Sequence, residues 1–139
     1  MIPLLLSLLL GCEEEPLACT QIGCLSELVV VVQGPDDVSE VSGMLTVGGQ
    51  DFVVDCEGTS DPAIRCEGSR LVLALADGLG GGEVGWTLSS DGRDSGGGGG
   101  GYAGEGTVTP DWQVSQPNGE DCPPTCYTSE ITVELLGTP

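Results

Sequence analysis

The stretch Glu130-Ile131-Thr132-Val133-Glu134-Leu135 decides the fold. On an extended chain Ile131, Val133 and Leu135 fall on one side, and Glu130, Thr132 and Glu134 on the other. Successive side chains of a strand point to opposite faces, so this period of two is what a half-solvated antiparallel strand requires. Working back along the chain, similar short runs recur between turn signals. Residues 26–33 contain Leu28-Val29-Val30-Val31-Val32 and stop at Gly34-Pro35, the pattern of a buried strand. Residues 41–47 and 51–56 flank Gly48-Gly49, a hairpin signal. Residues 70–76 are apolar on both faces and too short, before Asp77-Gly78, for a helix to be the better reading. Residues 83–90 alternate Val84, Trp86 and Leu88 against Gly85, Thr87 and Ser89, which assigns Trp86 to the core. Residues 102–109 and 112–115 are weaker strands, broken by glycine and by Pro110. The pattern predicts an all-β domain, an antiparallel β-sandwich of about seven to eight short strands, ahead of a small barrel. No internal repeat is present.

Composition narrows the functional classes. A chain of 139 residues fits one domain. It carries 22 acidic residues against three arginines (Arg65, Arg70, Arg93), with no lysine and no histidine, for a net charge of −19. Binding to a phosphate backbone depends on Lys and Arg displacing counterions, so nucleic acid is excluded as a partner. The same charge keeps an exposed domain soluble and repels anionic lipid headgroups. The 24 glycines and nine prolines favour many turns, and ordinary hydrophobic content argues against wholesale disorder. Six consecutive glycines at 96–101 follow Asp91-Gly92-Arg93-Asp94-Ser95. They predict a flexible surface loop at 91–101, because glycine is entropically costly to order and offers nothing to pack. A phosphate-cradling loop would need a lysine that is absent.

The first twelve residues form a separate unit. Residues 2–10 are almost wholly apolar, too short to span a hydrocarbon core but the length of a signal-peptide hydrophobic region. They end in Leu9-Leu10-Gly11-Cys12, followed at once by Glu13-Glu14-Glu15-Pro16. This junction resembles the bacterial lipoprotein signal, or lipobox, with Leu9 three residues before and the small Gly11 just before the cysteine. Leu10 is larger than the pattern prefers. No Lys or Arg precedes the leucines, which leads us to expect a start codon upstream of Met1. The resemblance implies a signal peptide at 1–11, cleavage before Cys12, diacylglycerol on the Cys12 thiol, and a tether over 12–25 leading to a β-sandwich domain at 26–139. It also implies a location in the cell envelope, at the outer membrane or a periplasm-facing leaflet, with the membrane as partner through the lipid. Two or three acyl chains on one residue would make attachment effectively permanent, at about 0.8 kcal/mol per buried CH₂. Cys19-Thr-Gln-Ile-Gly-Cys24 near the start and Pro117-Asn118-Gly119-Glu120-Asp121-Cys122-Pro-Pro-Thr-Cys126 near the end are further similar to small uncharacterised lipoproteins of myxobacterium-like Gram-negative bacteria.

Assigning Cys12 to lipid leaves an even set, Cys19, Cys24, Cys56, Cys66, Cys122 and Cys126, in a compartment where disulfides persist. Spacing favours three local bridges, Cys19–Cys24, Cys56–Cys66 and Cys122–Cys126. Crossing of the two outer pairs, joining the N-terminal segment to the C-terminal loop, is the alternative. A zinc site is disfavoured by C-x4-C and C-x3-C spacings, the missing histidine and an oxidising location.

Little catalytic chemistry is on offer. Without His or Lys the common triads and dyads cannot be built, so no catalytic residue is assigned and an enzyme is not expected. A carboxylate-based hydrolase, which needs two facing carboxylates, is one alternative. A calcium-stabilised adhesive domain is another, with candidates Asp36, Asp37 and Glu40, or Asp91 and Asp94. Neither set has a dedicated loop spacing, and both read as turns, so no metal or cofactor is assigned. The expectation is a lipid-anchored exported lipoprotein, a non-catalytic binding or envelope-structural module, and no pattern selects a protein over a glycan partner.

Overall fold

A computed structural model describes residues 23–76, 78–91 and 101–137. The expected signal peptide, Cys12, Cys19, Asp94 and all but the ends of the 91–101 loop lie outside the described residues. The chain is all-β, with two five-stranded sheets packed together. Among the described residues ten strands follow one another: β1 Ser26–Gln33, β2 Val41–Val47, β3 Gln50–Asp55, β4 Ile64–Glu67, β5 Arg70–Leu75, β6 Val84–Ser90, β7 Tyr102–Val108, β8 Gln113–Ser115, β9 Cys126–Glu134 and β10 Leu136–Gly137. The first sheet has the order β4-β5-β1-β9-β8 and the second β10-β7-β6-β2-β3. The chain lays down β1 in the first sheet and then crosses between sheets after every hairpin, so both sheets grow together.

The hydrophobic pattern fixes which faces meet. From the first sheet Leu28, Val30, Leu71, Leu73, Ile131 and Val133 are buried, and from the second Leu45, Val47, Phe52, Val54, Val84 and Leu88. They form a single cluster. Every second residue of the central strands thus leaves water, at about 1.5–3 kcal/mol for each large aliphatic side chain. Gly48 and Gly49 close the β2–β3 hairpin with φ of +59° and +80°, the two positive values that a type I′ turn demands. Gly43 is required for a different reason. Its φ is +141°, and a Cβ there would stand 2.0 Å from the Thr87 carbonyl oxygen.

Three sequence expectations are corrected. The last long strand is not wholly antiparallel, because β9 runs parallel to β1 from Glu27↔Thr128 to Gln33↔Glu134, and antiparallel to β8. Such a parallel pair needs a crossover, and here β2 to β8 supply it. Two short strands, β4 and β10, were not foreseen; each is too brief to show a period. The outer cysteines do not pair locally either, since Cys24 is bonded to Cys126 across 102 residues. Parallel alignment of β1 and β9 sets these two cysteines side by side at the strand starts, which local pairing would have forbidden.

Cys56 is bonded to Cys66, as spacing suggested. Cys56 follows β3, the edge of the second sheet, and Cys66 lies in β4, the edge of the first. This short loop therefore clamps the two sheets together along one side.

Candidate functional site

The outer face of the second sheet holds a broad concavity. Its middle strand, β6, presents Gly85, Thr87 and Ser89 outward, between Met44 and Thr46 of β2 and Ala103, Glu105 and Thr107 of β7. Small side chains on the central strand and taller ones on its neighbours make a trough along β6. The wider part, about 790 Å³, is lined by Met44, Thr46, Glu83, Trp86, Thr87 and Glu105 over a floor at Gly85. A smaller hollow of about 350 Å³ shares Thr87 and Glu105 and continues past Ser89 and Ala103.

Hydroxyl and carboxylate groups dominate this surface. Glu83 and Glu105 stand exposed on the trough, and Asp51, beyond it on β3, accepts a hydrogen bond from Thr46 Oγ1 at 2.7 Å. Met44 and Val53, opposite one another on β2 and β3, add an exposed apolar pair. Both described arginines, Arg65 and Arg70, belong to the first sheet, so this face carries no cation among the described residues. The trough is rich in acceptors and negative in charge.

Trp86 borders the trough and also packs against the core. Its position alternates with Val84 and Leu88, and its ring packs against the core as the sequence suggested. The indole lies across Gly106 of β7, where a Cβ would come within 2.7 Å of Cζ2. Its Nε1–H is buried without a hydrogen-bond partner. By contrast Trp112 donates from Nε1 to the Gly82 carbonyl at 2.9 Å and meets Tyr127 edge-on, with ring centroids 6.4 Å apart. Trp86 is thus the aromatic that reaches the trough, while Trp112 and Tyr127 pack against each other.

The calcium candidates are placed in a turn. Asp37 Oδ1 accepts from the Ser39 backbone N–H at 2.9 Å and from its hydroxyl at 2.5 Å. These bonds hold its carboxyl below the usual carboxylate range. No group of three or more metal-ligating side chains comes together among the described residues, so Asp36, Asp37 and Glu40 do not form a ligand set. Of the expected bridge-forming cysteines, Cys24, Cys56, Cys66, Cys122 and Cys126 are all disulfide-bonded. The trough itself escaped sequence reading, because it depends on which strand lies in the middle of the sheet, and only the register supplies that.

Among the described residues no helix is long and apolar enough to cross a membrane. Comparison with protein-family models, with curated proteins and with solved structures finds no match.

Proposed function

We propose that this chain is an exported lipoprotein, anchored by lipid on Cys12, whose β-sandwich acts as a non-catalytic binding module through the trough along β6. The observation that carries export is the oxidation state of its sulfur: every described cysteine is in a disulfide. Such bridges persist outside the reducing cytosol. The lipobox-like Leu9-Leu10-Gly11-Cys12 supplies the address, and the acidic Glu13–Pro16 stretch a solvated spacer that anionic headgroups repel. The domain then stands off the surface to which its lipid holds it.

Binding rather than catalysis is favoured by what the trough offers. Its hydroxyls and carboxylates accept hydrogen bonds over a length suited to an extended segment. A hydrolase would have to work with Glu83 and Glu105 alone, since the chain has no His or Lys to serve as another base.

Expression of the full chain in a Gram-negative host with labelled palmitate tests the anchor. The reading expects label on the protein and recovery with membranes, both lost in Cys12→Ser. An unlabelled, unprocessed wild-type chain would refute it.

A further inference from the structure

β6 pairs with β7 along the whole of β7, whereas β10 on its other side reaches only Tyr102 and Ala103. The register tells which main-chain groups are left over. Cys56 N–H donates to the Val41 carbonyl, so Val41 and every second residue after it on β2 turn to β3. The residues between them turn to β6, where they meet Gly85, Thr87 and Ser89. β6 therefore bonds β7 through its other residues, among them Trp86 and Leu88, opposite Gly106 and Gly104. Ala103, Glu105 and Thr107 turn their N–H and C=O groups the other way. β10 takes Ala103, and Glu105 and Thr107 face no strand among the described residues.

The opposite edge of the same sheet is closed. On β3 the Val53 carbonyl accepts from Asp61 N–H at 2.9 Å, and Asp55 N–H donates to Ser60 Oγ at 2.8 Å, so the loop into β4 caps it. An uncapped edge is a template for another chain. We propose that the β7 edge receives an extended peptide segment bearing alternate lysine or arginine residues, added as an antiparallel strand in line with β10.

Charge complementarity selects that occupant. Residues opposite Glu105 and Thr107 in such a strand would carry their side chains on the same outer face, where Glu105 and Glu83 border the trough. Main-chain hydrogen bonds supply the affinity and the alternate basic side chains the choice of sequence. A second copy would instead bring its own Glu105 to this edge, between two bodies of net charge −19. β9 also runs past the short β8, but it belongs to the first sheet, away from Glu83 and Glu105. The proposal rests on the trough as the binding site and adds how the segment is held there.

The test uses the full chain and a ten-residue peptide of alternating lysine and serine, in three forms: plain, N-methylated on every lysine, and N-methylated on every serine. A strand turns alternate N–H groups to its partner, so calorimetry should show one methylated form weakened about tenfold or more and the other within about twofold of the plain peptide. Equal affinities of the two methylated forms would overturn strand addition and leave the trough reading standing, whereas no binding by any form would overturn both. Thr107→Pro removes an outward N–H at a place where a strand edge tolerates proline. It should weaken the plain peptide about tenfold with tryptophan emission unchanged, and wild-type affinity in that variant would also overturn the proposal. A wild-type dimer in sedimentation that Thr107→Pro dissociates would give the edge to a second copy and overturn it.

Discussion

Arg65 on β4 reaches diagonally across β5 to Glu27 on β1, Nη2 standing 3.8 Å from Oε2; Val72 lies opposite Arg65 and Ala74 opposite Glu27. Val72 points away from the core yet is 4% exposed. Arg65, its cross-strand partner, is tied to Glu27 and, at 3.5 Å, to Glu67, which places its stem to cover Val72. An exposed ion pair is worth about 0.2–1 kcal/mol, so the cover outweighs the charge. Arg65→Ala is expected to cost about 1 kcal/mol by uncovering Val72, whereas Arg65→Met keeps the cover and costs less than half as much. Urea midpoints at low and high salt check this, and a strong salt dependence of the wild-type advantage would contradict it.

The long bridge should matter more than the short one. By the chain-entropy argument, closing about 100 residues stabilises by about 4.7 kcal/mol and closing ten to fifteen by about 3 kcal/mol. Cys24→Ala/Cys126→Ala is therefore expected to lower the denaturation midpoint further than Cys56→Ala/Cys66→Ala. Equal losses would mean that the Cys56–Cys66 clamp, by holding the two sheets, also constrains the unfolded chain beyond its own loop.

Period-two runs made most of the fold legible. Leu28 to Val32, the Gly48-Gly49 turn, and Val84, Trp86 and Leu88 each fall where alternation puts them. Residues 70–76 read as apolar on both faces for a reason now visible: Leu71, Leu73 and Leu75 meet the core, and Val72 lies under Arg65. The pairing of strands was not legible, since nothing local in 126–134 tells β9 to run parallel to β1. The trough follows from that long-range pairing and was hidden with it, whereas the Cys24–Cys126 bridge falls within the crossed alternative that spacing left open.

Gly106 exists to seat Trp86. Gly106→Ala is expected to push the indole off its place and cost about 1–3 kcal/mol, as overpacking does. Tryptophan emission should shift to the red in the same variant. Trp86→Phe removes a buried N–H that has no partner, so its cost should fall below that of an ordinary large-to-small change. If Gly106→Ala leaves emission unchanged, the ring does not lie on that glycine.

Asp37 links the turn after β1 to pH. Its folded carboxyl titrates below the unfolded value of about 3.8 because Ser39 hydrogen-bonds the charged form. The stabilisation is full above that value and is lost as pH falls through the folded one. Asp37→Asn should therefore be less stable than wild type near neutrality, the two converging in strong acid. The carboxyl carbon shift of Asp37, followed by NMR, should titrate lower in wild type than in Ser39→Ala.

The trough predicts its own ligand class. With Glu83 and Glu105 at its sides, hydroxyls between them and no cation on the face among the described residues, it suits an extended segment bearing basic groups. Every cation is attracted to a chain of net charge −19, so attraction alone decides nothing. Position must be separated from net charge. A ten-residue peptide of alternating lysine and serine is the probe, titrated at physiological salt to screen distant charges. Glu83→Gln/Glu105→Gln is expected to weaken binding about tenfold, corresponding to about 1.4 kcal/mol. Glu130→Gln/Glu134→Gln removes the same charge from the outer face of the first sheet and should change binding by less than about twofold. Equal weakening in both would reduce the interaction to bulk attraction and leave the trough without a role.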